Sequence, residues 1–430
     1  MAMKERAQQF LEKHKLLADA IDVEAVVHEF VSEMEKGLAG EDSSLATIPT
    51  YVSVDNPVPA NTPVIVMDAG GTNLRVATIT FAEDGSYEMA NFHKAPMPGT
   101  DGYVTKEEFF DRLADFLTPV IDDSDRIGFC FSYATEVTPE CDGKLIHWTK
   151  EIQAPDVVGE YIGKNLTDRL EARGKGGKKV VILNDTIATL LAGKSVGGAR
   201  QYETYLGVIE GTGSNSAYVE QNAKITKKSD LPAGAMAINL ESGAFAKCPR
   251  TDIDLAFDAA TPSEGKQKFE KMISGGYLGG VGLYAMKAAA AEGLFSATAA
   301  GQVTAWEELE TKDMDDFLWN PYRESIFNTP DFNDEDREVV MCITAAVIRR
   351  AAVLVAINVA APAIKSGAGM SPLHPVCVVM DGSTYYKTNN LKSMTEAYLR
   401  QILGSRGIFF DTIQVDEAPV IGAAVAGLTV

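Results

Sequence analysis

Two distant stretches of this 430-residue chain share one layout. VIVMDAGGTNLRVATITF (Val64–Phe81) and TYLGVIEGTGSNSAYVE (Thr204–Glu220) each read as an apolar strand, a turn and a second apolar strand. Each turn holds an acid, two glycines, a threonine and an asparagine. A third strand, in VCVVMDGSTYY (Val376–Tyr386), runs into a similar Asp-Gly-Ser turn. Repetition of a supersecondary unit constrains the fold more than composition does, because it predicts two halves of like topology. Turns of this kind facing one another would form a cleft with phosphate-sized donors on both walls.

The turns suit that ligand. A phosphate tail needs several N–H donors converging on a small volume. Glycine lets the backbone turn tightly and lets a bulky anion approach without meeting a Cβ. Gly70, Gly71, Gly211 and Gly213 provide this, Thr72 and Thr212 add hydroxyls, and Arg75 adds a charge-assisted donor. Asp68 beside a phosphate calls for a cation between them, and Mg2+, often through water, is the usual one. The plainer reading of either turn is a hairpin whose glycines supply positive φ and whose Asp and Asn bond locally. No GxxxxGK[ST] loop precedes a helix anywhere in the chain.

Around the hairpins the pattern alternates. The first forty residues carry apolar positions at three- and four-residue spacing and read as helical, and a proline-rich linker follows. After the first hairpin come a strand near Tyr87–His93, a helix over Lys106–Ile121 and a strand RIGFCFSY (Arg126–Tyr133). A helix around Val157–Arg173 and a buried strand KKVVILND (Lys178–Asp185) complete the unit. This order predicts an α/β domain with ligands at the strand ends. AAVLVAINVAAPAI (Ala351–Ile364) is too short to span a bilayer and reads as a buried helix. A net charge of −21 argues against nucleic acid or an anionic membrane as partner, so any anion must be held by local donors. Five scattered cysteines and five dispersed histidines show neither a disulfide framework nor a metal knuckle, as expected of a reduced, cytoplasmic protein.

Taken in order, VMDAGGTNLRV, FSY followed by IHWTKEI, ILNDT, GVIEGTGSNSAYVE, INLESGAF, FEKMISGGYLGG and MDGSTYY resemble the signatures of the hexokinase family in a single-unit, bacterial-type form. That family belongs to the actin-like ATPase superfamily. The resemblance implies two α/β lobes of RNase H-like topology, with ATP and a hexose in the cleft between them. The expected small lobe spans 62–188 and 415–430, and the large lobe 1–61 and 189–414. By the family's pattern Asp185 is the general base, with Lys150 beside the transferring phosphoryl group. Ser132, Thr149, Lys150, Asn184, Asp185, Asn215, Glu241 and Glu270 contact the sugar. Gly70, Gly71, Thr72, Asn73, Arg75, Gly211, Thr212 and Gly213 face the phosphates, Asp68 faces Mg2+, and Asp381, Gly382 and Ser383 face adenosine. The implied reaction moves the γ-phosphoryl of ATP to the 6-hydroxyl of a glucose-like hexose. Taken alone, Asn184 or Asp185 would be an N-cap, Lys150 and Glu151 a surface pair, and Glu241 and Glu270 solvated acids.

Two positions depart from the family's pattern: Ala134 stands where proline is usual, and Ser242 where tryptophan is usual. Both bear on which hexose is accepted and leave the phosphate turns intact. A hexose sensor without turnover, or a kinase for an amino- or otherwise modified hexose, is the alternative reading. The chain is expected to cross between lobes near Asn56–Asn61, Ala192–Gly198 and Thr412–Pro419, with Gly193, Gly197 and Gly198 as hinge candidates.

Overall fold

The computed structural model describes residues 3–148, 152–196 and 200–430. The chain begins with helices α1 (Met3–Lys13) and α2 (Val23–Ala39). Asp22 caps α2 by accepting the Ala25 N–H, and Gly40, in the left-handed region, ends it. A two-residue strand, β1 (Ile48–Pro49), follows.

The first hairpin is β2 (Pro63–Gly70) against β3 (Asn73–Phe81). Asp68 lies opposite Arg75 and Gly70 opposite Asn73, so Gly71 and Thr72 are the whole turn, and Gly71 takes the positive φ that such a turn requires. Strand β4 (Tyr87–Pro96) returns antiparallel to β3. After α3 (Lys106–Leu117), capped by a Thr105/Glu108 box, β5 (Arg126–Phe131) joins β2 in parallel. Strands β6 (Ala134–Val137) and β7 (Gly143–His147) form a separate hairpin that sequence periodicity does not reveal. Helix α4 (Ile162–Ala172) leads to β8 (Lys179–Leu183) and to α5 (Asp185–Val196). The sheet order is β4-β3-β2-β5-β8.

The second half repeats that order. Strands β9 (Thr204–Glu210), β10 (Ser214–Gln221) and β11 (Ala235–Asn239) are antiparallel neighbours. Strands β12 (Val376–Asp381) and β13 (Phe410–Ile413) add in parallel on the other side of β9, giving β1-β11-β10-β9-β12-β13. Each half is therefore a hairpin flanked by one antiparallel and two parallel strands, the duplication the two glycine turns announced, and the second sheet adds the short β1 beyond β11.

Between β11 and β12 lies a helical region: α6 (Asp252–Ala260), α7 (Glu270–Ile273), α8 (Leu278–Ala291), α9 (Ala297–Ala305), α10 (Thr311–Trp319) and α11 (Asp334–Ser366). The segment Ala351–Ile364, expected as a short helix, is the C-terminal half of α11, which has 33 residues. By length and composition α11 is apolar enough to cross a membrane. Here its C-terminal half is buried within the protein, with Arg350 paired to Asp254 of α6 and Asn358 bonded to β10. Helices α12 (Ser383–Lys387), α13 (Leu391–Gly404) and α14 (Ala418–Thr429) complete the chain.

The two sheets meet through α5 and α14. One buried cluster runs from Val64 and Val66 of β2, through Ile187, Leu191, Val420 and Ile421, to Cys377 and Val379 of β12. Glycine sets the spacing. A Cβ on Gly422 would lie 1.7 Å from the Ala188 carbonyl oxygen, and one on Gly207 would lie 2.4 Å from that of Thr186. Gly193, expected as a hinge, is instead a packing position inside α5, where a Cβ would meet Val379 at 2.6 Å. Gly197 and Gly198 lie outside the described residues.

Candidate active site

Asp68 is almost fully buried at the end of β2. Its Oδ2 accepts from Arg75 Nη1 at 3.0 Å, and the same guanidinium lies 3.6 Å from Glu417. Arg75, expected as a phosphate donor, is thus held between two carboxylates in this structure, because the cross-strand register places it directly opposite Asp68. Burial raises the Asp68 carboxyl to about 6 against the pull of Arg75 and of a hydrogen bond from Cys130, and the Asp185 charge adds to the rise. The first turn is braced from two sides: Tyr133 Oη donates to the Gly71 carbonyl, and the Met97 N–H donates to that of Thr72 at 2.9 Å. Thr72 at its tip is exposed.

Ser132 follows β5, its N–H donating to Ala69 at 3.3 Å, which sets the sugar-facing loop beside the first hairpin. Asn184 and Asp185 come at the end of β8. Asn184 Oδ1 accepts the Thr186 N–H at 2.8 Å, so the two capping candidates share that donor. Asp185 Oδ1 accepts from Thr186 N at 2.8 Å and from its hydroxyl at 3.2 Å. Thr149 and Lys150 lie outside the described residues.

The second half supplies the facing wall. In the Gly211-Thr212-Gly213 turn the Gly211 N–H donates to Gly213 at 2.9 Å, and Thr212 is exposed. Asn215 donates to Thr186 Oγ1 at 3.0 Å and to Asn239 Oδ1 at 2.8 Å, and Asn239 donates to Glu241 Oε1 at 2.7 Å. Glu241 sits in the left-handed region at φ 54, so the chain turns there and presents its carboxylate beside Asn215. Ser242, one of the two departures, donates its N–H to Asn215 Oδ1 at 3.1 Å, and its buried hydroxyl has no partner. Glu270 accepts the Ser214 N–H at 2.8 Å. Burial raises the carboxyls of Glu241, Glu270 and Asp381; the Asp185 charge adds to the shift at Glu241 and Asp381, and Glu241 adds to that at Glu270. The Asp185 charge thus acts on acids of both halves.

Asp381 ends β12 and accepts the Gly382 N–H at 2.8 Å. Gly382 has φ 119, and a Cβ there would lie 2.2 Å from the Glu210 carbonyl oxygen. Ser383 is exposed at the start of α12.

Several neighbours were missed in the sequence. A cavity of about 390 Å³ joins Thr212 and Ser383 to Gly275, Gly276, Thr311, Lys312 and Asp315. Thr384 Oγ1 donates to Gly211 at 2.8 Å, and the Gly275 and Gly276 N–H groups donate to Gly211 and Thr212. The available signal was the Gly-Gly of SGGYLGG: a Cβ on Gly275 would lie 2.1 Å from Thr384 Oγ1. Lys312 and Asp315 carry no comparable local mark.

Hexokinase family models match residues 6–195 and 205–429. The chain is 29% identical to hexokinase-2 of Schizosaccharomyces pombe over 437 positions, 94% of this chain and 92% of that one. It is 28% identical to hexokinase-5 of Oryza sativa subsp. japonica, covering 91% and 83%. Among solved structures, a hexokinase from Schistosoma mansoni complexed with glucose matches in fold with a TM-score of 0.80, over 100% of this chain and 99% of that chain at 24% identity. The chain belongs to the hexokinase family: it is a sugar kinase, built as two RNase H-like lobes, that phosphorylates a sugar with ATP.

Proposed function

We propose that the acceptor is the 6-hydroxyl of a glucose-like hexose and that Asp185 takes its proton. The observation that carries this reading is the place of Asp185, at the start of α5, where its charge reaches Asp68 of the first hairpin, Glu241 of the second half and Asp381 of the third turn. A base for phosphoryl transfer must stand where acceptor and γ-phosphoryl meet in line. The proton passes from the sugar O6 to Asp185 as the O6–Pγ bond forms. The bond from Pγ to its bridging oxygen breaks, and its electron pair leaves on ADP.

Ser132, Asn184, Asn215, Glu241 and Glu270 bond the remaining hydroxyls, carboxylates accepting and amides doing both. Thr149 and Lys150 are assigned by family resemblance alone, Lys150 to the charge of the moving phosphoryl group. Thr72 and Thr212 donate to phosphate oxygens from the two hairpin tips, and the nucleoside lies toward Asp381–Ser383 and the cavity beside Thr311. The residues fit Mg2+, since Asp68 is a buried carboxylate whose proton affinity burial and the Asp185 charge raise, and Mg2+ typically binds one or two carboxylates together with substrate phosphates and water. When bound it offsets charge on the phosphates.

The test is a panel of glucose, mannose, fructose, glucosamine and N-acetylhexosamines with ATP and Mg2+, read by ADP release, with the product's phosphorus coupling resolved by NMR. Turnover of a gluco-configured hexose with phosphorus coupled to the C6 methylene is expected. Sugar binding without ADP release, or phosphate on another carbon, would overturn the reading.

A further inference from the structure

Ser214 touches two carboxyls at once. Its N–H donates to Glu270 Oε2 at 2.8 Å, and its Oγ donates to Glu210 Oε2 at 2.7 Å. The preceding residue makes room for the same acid: a Cβ on Gly213 would lie 2.8 Å from Glu270 Oε2. From behind, Asn358 of α11 donates Nδ2–H to Ser214 Oγ at 3.4 Å and accepts from Ser216 Oγ at 2.9 Å. Glu210 and Asn358 have no exposed surface, and Glu210 Oε1 has no hydrogen-bond partner.

This arrangement is costly. Glu210 shares its strand face with Leu206 and Val208, which belong to the apolar core beneath α11. A buried carboxyl with an unmet oxygen is destabilising, and an apolar side chain would be the cheaper occupant. Its place at the root of the Gly211-Thr212-Gly213 turn suggests the compensation. Two glycines leave that turn conformationally permissive. Only a few bonds fix where its N–H groups point, and Ser214 supplies one on each side.

We propose that Glu210 and Ser214 are positioning residues that tie the second phosphate hairpin to Glu270, so that hexose and nucleotide each favour binding of the other. The proposal rests on Glu270 holding the hexose and on the Thr212 turn holding ATP phosphates. Hexose drawn onto Glu270 fixes the Ser214 N–H, and the hydroxyl anchored by Glu210 transmits that constraint to Thr212 and Gly213.

Glucose affinity is measured calorimetrically with and without saturating ADP and Mg2+, and the ratio of the two affinities is the readout. The wild-type ratio should be about fivefold or more. Ser214→Ala and Glu210→Leu should each bring it down by roughly fivefold, to near one, while glucose affinity without nucleotide stays within about threefold. Glu210→Gln, which keeps an acceptor for Ser214, should preserve the ratio. Ser216→Ala removes a hydroxyl from Asn358 without touching Glu210 or Glu270, and should lower the melting temperature yet leave the ratio unchanged. A wild-type ratio of one, an unchanged ratio in Ser214→Ala and Glu210→Leu, or an equal fall in Ser216→Ala would overturn the proposal. Separately, unchanged glucose affinity in Glu270→Gln would remove the sugar assignment and the proposal with it.

Discussion

Gly422→Ala tests how Asp185 is placed. Helix α5 is caught between β9 and α14 at two glycine contacts, and Asp185 begins that helix one turn before Ala188. A methyl at 422 would sit 1.7 Å from the Ala188 oxygen, 2.3 Å from its carbonyl carbon and 2.6 Å from its Cα. All three atoms are backbone, so no rotamer change relieves the clash. Ordinary contact needs roughly 3.5 Å, so the helices must part by on the order of 1.5 Å and lose contacts along their length. Overpacking of this kind costs about 1–3 kcal/mol or more, against a helix-propensity gain of about 1 kcal/mol from replacing glycine. Displacement of Asp185 by about 1 Å should lower kcat by up to about a hundredfold. Gly301→Ala is the control: Gly301 lies within α9 with nothing near its Cβ position, so it should stabilise by roughly 0.5–1 kcal/mol. Urea denaturation and steady-state kinetics on both variants decide the matter. A Gly422→Ala protein as stable and as active as the Gly301→Ala protein would refute the packing argument.

Other consequences follow from buried charge and from the cleft. Because burial holds Asp68 near 6 against an ordinary 3.8, the fold binds that proton more tightly than the unfolded chain does. Its contribution is complete below about 3.8 and lost as pH rises through about 6, worth up to roughly 3 kcal/mol. Glu241, Glu270 and Asp381 shift the same way, so the ligand-free protein should melt higher near pH 5.5 than near pH 7.5; a lower melting temperature would contradict this. If Asp68 faces Mg2+ as proposed, its proton competes with the metal, so binding of MgATP should be weaker at pH 5.5 than at pH 7.5, and calorimetry at both pH values would show it. Arg350→Leu strands Asp254, which Arg350 pairs at 2.9 and 2.5 Å with both side chains buried, and should cost about 3–5 kcal/mol by urea denaturation. Thr212→Val should raise the KM for ATP by about tenfold or more with little change in hexose affinity; the reverse pattern would place that turn on the other ligand.

The repeated glycine turns carried most of what was legible. Tight hairpins demand particular residues at particular places, so Gly71, Thr72, Gly211 and Gly213 marked the ends of the strands that organise both sheets. The Asn184-Asp185 step was equally visible, because a strand-to-helix junction combines an apolar run with a capping residue. Other features left weaker traces. Helix α11 is buried on every side only from Arg350 to Ala363, where it has no amphipathic period and stood out by its apolarity, while its N-terminal half exposes Asp334, Glu335, Glu338, Ala345 and Arg349. Apart from α7 and the start of α8, which fall within FEKMISGGYLGG, the helices between β11 and α11 present no motif in their sequence, and with them Lys312 and Asp315 went unread. Residue type marked Arg75 as a phosphate donor, but only cross-strand register shows that it also pairs with Asp68. Gly193 looked like a hinge for the same reason: glycine in a helix signals close approach as readily as flexibility.

The most direct test of the central claim is Asp185→Asn, with turnover and glucose affinity measured on the same folded protein. Asn184 also supplies an oxygen to the Thr186 N–H, and an asparagine at 185 keeps an acceptor there, so the start of α5 should persist. The amide keeps the shape and an acceptor oxygen but cannot take the proton. General-base catalysis contributes roughly 10²- to 10⁴-fold, and turnover should fall by about that factor. Glucose should still bind within about tenfold, a difference under ~1.4 kcal/mol. Turnover within about threefold of wild type would contradict the account and remove Asp185 from the mechanism.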